Sequence, residues 1–128
     1  MNFTGSILLV DDEQHIRKYV GLILRQLGVA KILEAANGEE ALATYERERP
    51  ALVLLDINMP ILDGLETLKR LKAFDPECVV VLLTSLTTRL NVEIALSLGA
   101  VNYIRKDTPK EEITKALTET FASCFEPE

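Results

Sequence analysis

Short aliphatic segments alternate with segments of helical periodicity along the whole chain. The aliphatic segments are Ile7–Val10, Lys31–Ala35, Ala51–Leu55, Cys78–Thr84 and Asn102–Arg105. The central ones are apolar at consecutive positions, which is typical of parallel strands that are covered on both faces. Each aliphatic segment is followed by a segment whose apolar residues recur at helical spacing. The pattern predicts an α/β fold, with a doubly wound five-stranded parallel sheet and five helices on both faces.

The helical segments carry recognisable start and stop signals. Gly28 is expected to end the first helix, Asn37 with Glu40 is expected to cap the second, and Thr108 is expected to cap the fifth with Pro109 as its first residue. The residues predicted to face the core are, helix by helix, Ile16, Tyr19, Val20, Ile23, Leu24 and Leu27; Ala41, Leu42 and Tyr45; Leu65, Leu68 and Leu71; Leu90, Ile94, Ala95 and Leu98; and Ile113, Leu117, Phe121 and Cys124.

Composition narrows the class of protein. The 128 residues fit a single domain, 1–128, with a core from about residue 6 to residue 124. With 14 basic against 20 acidic residues the net charge is −6, which argues against direct nucleic-acid binding. The longest apolar run, Cys78–Leu83, is far shorter than the roughly 20 residues of a membrane span. Cys78 and Cys124 fit no metal-binding spacing, so we expect reduced, structural thiols in a cytoplasmic protein.

Polar residues follow four of the five predicted strands. The first strand leads into Asp11 and Asp12, the third into Asp56, the fourth into Thr84 and the fifth into Lys106. Taken singly, such residues can cap a helix, begin a turn or lie on a solvated surface. Because the carboxyl ends of parallel strands meet at one edge of the sheet, their conjunction predicts a site there.

The residue types at this edge suit phosphoryl transfer. Carboxylates about 5 Å apart repel one another by roughly 3 kcal/mol per pair at an effective dielectric constant near 20, and a divalent cation removes that repulsion. Hard oxygen ligands favour Mg²⁺ or Mn²⁺. Lys106 adds a positive charge and Thr84 a hydroxyl donor, while a carboxylate can itself be the nucleophile.

At this point the chain resembles the receiver domains of two-component response regulators, of which the chemotaxis regulators are the compact example. The resemblance extends from Ile7 to about Phe121. The motifs that carry it are Leu8–Glu13, Leu54–Pro60, Asp63-Gly64, Leu83–Ser85 and Gly99-Ala100, followed by Tyr103 and Lys106. It implies a flavodoxin-like sheet with the strand order 2-1-3-4-5.

The resemblance also implies roles for the residues at the site. Asp56 would accept a phosphoryl group from a sensor histidine kinase or a histidine phosphotransfer protein. Asp12, Asp56 and the backbone carbonyl of Asn58 would hold Mg²⁺, with Asp11 acting mainly through a bound water. Lys106 would pair with the phosphoryl oxygens.

A signalling switch, and not a turnover enzyme, is the function that this family implies. Thr84 would move to hydrogen-bond the phosphoryl group, and Tyr103 would swing inward behind it. That movement would remodel the face formed by the fourth helix, the fifth strand and the fifth helix. We expect this face to be read by a downstream effector protein, or by an output domain that is missing from this sequence.

One departure from the family pattern leaves an alternative open. Asp107 stands where receivers usually have a proline after the lysine. Since a non-proline cis peptide bond costs about 3–4 kcal/mol, we predict a trans Lys106–Asp107 bond. Asp107 could pair with Lys106 or Arg105 and weaken the reach of the lysine. The alternative is a degenerate receiver that acts as an unphosphorylated protein-interaction module.

Other functions of related folds fit less well. A loop of Asp11, Asp12 and Glu13 would repel the phosphate of a flavin mononucleotide. An aspartate-nucleophile phosphatase would need a second acid where Asn58 stands. No Gly-x-Gly-x-x-Gly follows the first strand, as a dinucleotide site would require. The resemblance also places Asn58 and Leu86 at the positions that tune water access to the phosphoaspartate. Because Leu86 is apolar and cannot position a water, we expect no fast self-dephosphorylation.

Overall fold

Strands and helices alternate strictly in the computed structural model, which describes residues 5–59, 61–85 and 89–125. The ten elements are β1 (Ser6–Val10), α1 (Gln14–Gln26), β2 (Lys31–Ala35), α2 (Gly38–Glu48), β3 (Leu52–Asp56), α3 (Gly64–Phe74), β4 (Val80–Thr84), α4 (Arg89–Ser97), β5 (Asn102–Arg105) and α5 (Lys110–Phe125). The predicted succession of five βα units is confirmed. Pro60 and Leu86 lie outside the described residues, and so does the prediction on self-dephosphorylation that depends on Leu86.

The five strands form one parallel sheet in the order β2-β1-β3-β4-β5. Every residue of β3 and β4 is buried, as their unbroken apolar sequence predicts. Strand order reverses between β1 and β3, where Val10 is paired with Leu55. The next residue on each strand is an aspartate, so this register brings two carboxylates to the switch point of the sheet.

The core has two halves, one on each face of the sheet. Alternate residues of β1 point to opposite faces, with Ile7 and Leu9 on one and Leu8 and Val10 on the other. The first half is completed by α1 and α5, and the second by α2, α3 and α4. Among the described helices, none combines the length and the apolar composition needed to cross a membrane.

Local signals in the sequence set the end of α1 and the start of α2 as predicted, but not the start of α5. Gly28 ends α1 with a φ of 94°, and the following Val29 N–H donates to the Leu24 carbonyl over 3.0 Å, the pattern of a Schellman motif. The Asn37 side chain caps α2 by accepting a 2.9 Å hydrogen bond from the Glu40 N–H. At the other end of the chain, α5 begins at Lys110, slightly later than the predicted start.

Four predicted core positions are wrong. Tyr19 is exposed, because α1 packs against the sheet through Val20, Ile23 and Leu24. Leu90 and Ile94 are exposed, because α4 lies against the rest of the fold through Val92 and Ala95. Helical periodicity identifies an apolar stripe but does not reveal how much of it a neighbouring layer covers. Cys124 is also exposed, since the last turn of α5 packs against the core through Phe121 and Phe125 and leaves Cys124 beside them, whereas Cys78 is buried.

Candidate functional site

Three aspartates meet at the carboxyl end of the sheet. Asp56 is the last residue of β3, and Asp11 directly follows β1; their exposed fractions are 2% and 1%. Asp12 is the exposed member of the group. One carboxylate oxygen of each lies within 4.8 Å of the others. The structure therefore confirms that these three predicted residues come together.

Lys106 joins this cluster from β5, two strands away from Asp56. Its Nζ lies 2.7 Å from Asp11 Oδ2, 3.0 Å from Glu13 Oε1 and 3.2 Å from Asp56 Oδ2, and its side chain is only 7% exposed. The Lys106 N–H donates to the Thr84 carbonyl over 2.6 Å, which fixes the backbone of the lysine to the end of β4. One buried ammonium thus faces three carboxylates.

The charged groups of this cluster change one another's pKa values in different directions. The pKa of Asp56 is raised to about 6, because burial and the neighbouring Asp11 charge together outweigh the lowering effect of Lys106. For Lys106, burial lowers the pKa, but the contacts with Asp11 and Glu13 and the charge of Asp56 raise it above its usual value. The pKa of Glu13 is lowered by its contact with Lys106. Lys106 is therefore held in its charged form.

The oxygen atoms at the cluster fit a hard divalent cation. Asp11 Oδ2 is buried and accepts no hydrogen bond from the described residues, although the Lys106 ammonium lies 2.7 Å from it. A buried carboxylate oxygen of this kind retains lone pairs for another ligand. Together with Asp12 and Asp56 it offers the carboxylate oxygens that Mg²⁺ prefers.

Thr84 places a second unpaired polar atom at this edge. It is the last residue of β4, between β3 and β5, and only 2% of it is exposed. Its Oγ1 has no hydrogen-bond partner in the described part of the chain. An unsatisfied buried hydroxyl costs about 1–3 kcal/mol, so its position calls for a group that it could bind.

Tyr103 lies on β5 with 42% of its surface exposed. Its neighbour across the sheet is Leu82 of β4. The structure thus has Tyr103 in an outward position, on the edge strand beside the strand that carries Thr84.

The loop after β3 depends on a glycine whose role the sequence analysis did not identify. The Gly64 N–H donates to the Ile57 carbonyl over 2.8 Å, and a Cβ on Gly64 would collide with the backbone carbonyl of Asp56. Asp63 caps α3 by accepting a 2.9 Å hydrogen bond from the Glu66 N–H. The Asp63-Gly64 motif signalled a turn, but only the fold shows that this turn packs against the backbone of Asp56.

Glu13 is the second residue whose contact was not foreseen. It follows the acidic pair in sequence and stands at the N-terminus of α1, where its carboxylate reaches Lys106. The sequence offered one signal for this contact: Glu13 directly follows Asp11 and Asp12, so its charge had to lie near the site.

Asp107 pairs with Arg105 and not with Lys106. Two hydrogen bonds, of 3.0 and 3.2 Å, join the Asp107 carboxylate to the Arg105 guanidinium. The Lys106–Asp107 peptide bond is trans, as predicted. The departure from the family pattern therefore leaves the contacts of Lys106 with the acidic cluster in place.

Comparisons with known proteins agree with this geometry. The model of the response regulator receiver domain matches residues 7–118. The chain is 33% identical over 112 residues to chemotaxis protein CheY of Listeria monocytogenes, covering 88% of this chain and 94% of that protein. It is 36% identical over 112 residues to sporulation initiation phosphotransferase F of Bacillus subtilis, with 88% and 90% covered.

A solved structure extends the likeness to three dimensions. A chain in the crystal structure of the CheX–CheY–BeF3–Mg²⁺ complex from Borrelia burgdorferi superposes with a TM-score of 0.86, at 30% identity, with 91% of this chain and 88% of that chain covered. Receiver domains bind Mg²⁺ at an acidic pocket and interact with histidine kinases or phosphotransfer proteins and with effectors. They are signalling switches and not turnover enzymes. This chain belongs to the response regulator receiver domain family of two-component signalling.

Proposed function

We propose that this protein is a phosphorylation-controlled switch in which Asp56 accepts the phosphoryl group. The observation that carries the proposal is the buried Asp56 carboxylate, which contacts the Lys106 ammonium and lies at the same edge as the Thr84 hydroxyl, for which the described residues offer no partner. A nucleophile, a fixed positive charge and a free hydroxyl donor are the groups that phosphoryl transfer to a carboxylate requires.

Asp56 suits the acceptor role better than its acidic neighbours. Asp12 is exposed, and Asp11 follows β1, which lies one strand farther from Thr84 than β3 does. Asp56 is positioned by the Asn58 N–H at Oδ1 and by Lys106 at Oδ2. With a pKa of about 6 it is ionised at neutral pH and can act as a nucleophile.

The transfer step is a displacement at phosphorus. A carboxylate oxygen of Asp56 forms a bond to the phosphorus of a phosphohistidine on a sensor histidine kinase or a histidine phosphotransfer protein. The P–N bond breaks, and its electron pair leaves with the imidazole ring. We infer that Asp12, Asp56 and the Asn58 carbonyl would hold Mg²⁺, with Asp11 acting through water. When bound, Mg²⁺ offsets the negative charge of the carboxylates and of the incoming group.

The same residues can convert the new charge into a change of surface. Lys106 would exchange carboxylate contacts for phosphoryl oxygens, and the Thr84 hydroxyl would donate to one of them. Movement of Thr84 would open space for Tyr103, which is exposed before phosphorylation. The remodelled face of α4, β5 and α5 would then be read by an effector protein or an output domain.

The contacts of Asp107 favour this active switch over the degenerate module. A receiver that had lost phosphoacceptance would be expected to have lost one of the ionisable groups or its contact. Here Lys106 keeps its contacts with both buried aspartates, and Asp107 is held by Arg105.

Beryllofluoride, an analogue of the phosphoryl group, provides the test. With Mg²⁺ present, we expect it to shift the NMR amide signals of Thr84, Tyr103 and Lys106. The Asp56→Asn variant should show no such shifts because it lacks the coordinating carboxylate. A wild-type spectrum that Mg²⁺ changes and beryllofluoride leaves unaltered would contradict the proposal, as would equal shifts in the variant.

A further inference from the structure

A groove of about 320 Å³ runs between α1 and the edge strand β2, and the functional site described above does not account for it. Gly21 and Leu22 of α1 and Ile32 of β2 contribute its apolar surface. Arg17 forms one wall, where its guanidinium is fixed by a 2.8 Å bond to Glu34 and a 2.6 Å bond to the Asp11 carbonyl. The wall is therefore already ordered before any partner binds.

The charge of this groove is opposite to that of the molecule. The chain carries a net charge of −6, yet α1 has no acidic residue in Gln14–Gln26 and has Arg17, Lys18 and Arg25. Lys18 and Arg25 are exposed at the groove, and neither has an ion pair among the described residues. The positively charged side chains of Lys18 and Arg25 thus flank an apolar surface, on a chain whose net negative charge otherwise repels acidic partners.

Gly21 provides an independent observation. A glycine inside a helix weakens it, and internal packing does not require one here, because an added Cβ would meet only Leu9 Cδ1 at an ordinary 3.9 Å. Gly21 lies between Lys18 and Arg25 on the same face of α1, at positions i−3 and i+4. Its missing side chain deepens the groove at the point where the two cations flank it. Leu22 beside it is 61% exposed and adds apolar surface to the groove.

We propose that this groove binds an acidic amphipathic segment of another protein. An apolar side chain of that segment would fill the space above Gly21, against Leu22 and Ile32, and its carboxylates would pair with Lys18 and Arg25. Charge complementarity favours an acidic partner, and the apolar surface favours a protein segment over a small anion.

Short random peptides displayed on phage provide a direct probe. Peptides selected on the immobilised chain should carry Asp or Glu beside an apolar residue. Their synthetic forms should shift the NMR amide signals of Lys18, Leu22 and Ile32. The paired reversal Lys18→Glu/Arg25→Glu should weaken their binding about fivefold or more. The reversal Lys69→Glu/Lys115→Glu, which changes the net charge equally at exposed sites on other helices, should leave binding nearly unchanged.

The Gly21→Ala variant distinguishes an effect on the groove from an effect on the stability of the helix. It should raise the melting temperature by about 2–4 °C and yet weaken peptide binding, because the methyl group fills the space above α1. Failure to select peptides, peptides without acidic residues, shifts that map elsewhere or an equal loss in the control reversal would overturn the proposal. So would self-association of the chain that Lys18→Glu/Arg25→Glu abolishes, since a second copy would then be the occupant. Phosphorylation of Asp56 is measured in a separate experiment, and its result does not depend on whether the groove binds peptides.

Discussion

Lys106 reaches across the end of β4 to place its ammonium nitrogen 3.2 Å from Oδ2 of Asp56 on β3. The Lys106 side chain therefore passes over the end of β4, where Thr84 is the last residue. The same ammonium also contacts Asp11 and Glu13, so a single cation opposes the negative charge of three carboxylates. Phosphorylation would redistribute these contacts, and the predictions below test the contribution of each partner.

Replacing Asp56 with asparagine should stabilise the metal-free protein. The pKa of Asp56 is raised from 3.8 to about 6, so the fold favours its protonated form, and the contribution of Asp56 to the free energy of unfolding should fall as the pH rises from about 4 to about 6. The neutral amide of Asp56→Asn removes this penalty, which is worth about 1–3 kcal/mol at neutral pH after screening by water. Denaturant unfolding in the presence of a chelator measures both effects.

Asp107→Asn provides the control for that experiment, since Asp107 is exposed and pairs with Arg105 away from the cluster. It should keep the pH dependence of the wild type. A stability difference between Asp56→Asn and the wild type that does not widen over this pH range, or an Asp56→Asn variant less stable than the wild type, would show that the ionised Asp56 carboxylate does not destabilise the fold.

Thr84→Val should stabilise the unphosphorylated protein by about 1 kcal/mol, because it removes a buried hydroxyl that has no partner in the described structure. Thr120→Val is the matched control: Thr120 is also buried, but its hydroxyl donates to the Ala116 carbonyl over 2.9 Å. That variant should be neutral or destabilised. Thermal unfolding of the pair distinguishes the two cases, and equal effects would argue against a special state of the Thr84 hydroxyl.

Lys106→Ala should slow phosphorylation by roughly 10–100-fold without abolishing Mg²⁺ binding. Removal of the ammonium leaves Asp11 and Asp56 with less positive charge nearby, so calorimetry should find Mg²⁺ bound as tightly as in the wild type or more tightly. Lys110→Ala, at the exposed start of α5, should change neither quantity. If Lys106→Ala lost its Mg²⁺ binding, the division of roles between the lysine and the aspartates would be wrong.

Glu13→Gln should accelerate phosphorylation by acetyl phosphate about two- to fivefold. Glu13 holds Lys106 through a 3.0 Å contact, and its charge also repels an anionic donor. In a Lys106→Ala background most of this gain should vanish, since the partner of Glu13 is gone. Glu46→Gln, an exposed change on α2, should have no effect. An acceleration that persists undiminished in the Lys106→Ala background would show a general charge effect instead.

Gly64→Ala should destabilise the fold by about 1–3 kcal/mol, because the new methyl group collides with the carbonyl of Asp56. Gly21→Ala, which meets only an ordinary contact, should instead stabilise the protein by about 0.5–1 kcal/mol. Urea unfolding of the two variants gives the comparison. A tolerated Gly64→Ala would mean that the β3–α3 loop can move away from Asp56 at little cost.

Much of the fold could be predicted because local signals and burial agree. The unbroken apolar sequence of Leu52–Leu55 indicates a strand covered on both faces, and Asn37 with Glu40 marks the start of a helix. The order of the strands could not be predicted from local signals, because periodicity does not determine which strands are neighbours. That order came from the family resemblance. The exposure of Leu90 and Ile94 was missed for a similar reason, since the cover over a helix depends on the packed structure.

The acidic site was predictable from one rule, that parallel strands bring their carboxyl ends to the same edge. This rule places Asp11, Asp56 and Lys106 together without any knowledge of side-chain conformation. It does not say where long side chains at the rim will point. The contact of Glu13 with Lys106, and the choice of Asp107 to pair with Arg105, depend on rotamers and loop geometry that sequence spacing does not determine.

The most direct test of the central claim is the intact mass of the protein after incubation with acetyl phosphate, with and without Mg²⁺, beside the Asp56→Asn variant. The proposal predicts one phosphoryl adduct that requires Mg²⁺, is removed by hydroxylamine and is absent from the variant. A parallel reaction with a phosphorylated histidine phosphotransfer protein tests whether this protein accepts the phosphoryl group only from a protein donor. No adduct from either donor in a protein that binds Mg²⁺, or an equal adduct on Asp56→Asn, would contradict the assignment of Asp56 as the phosphoacceptor.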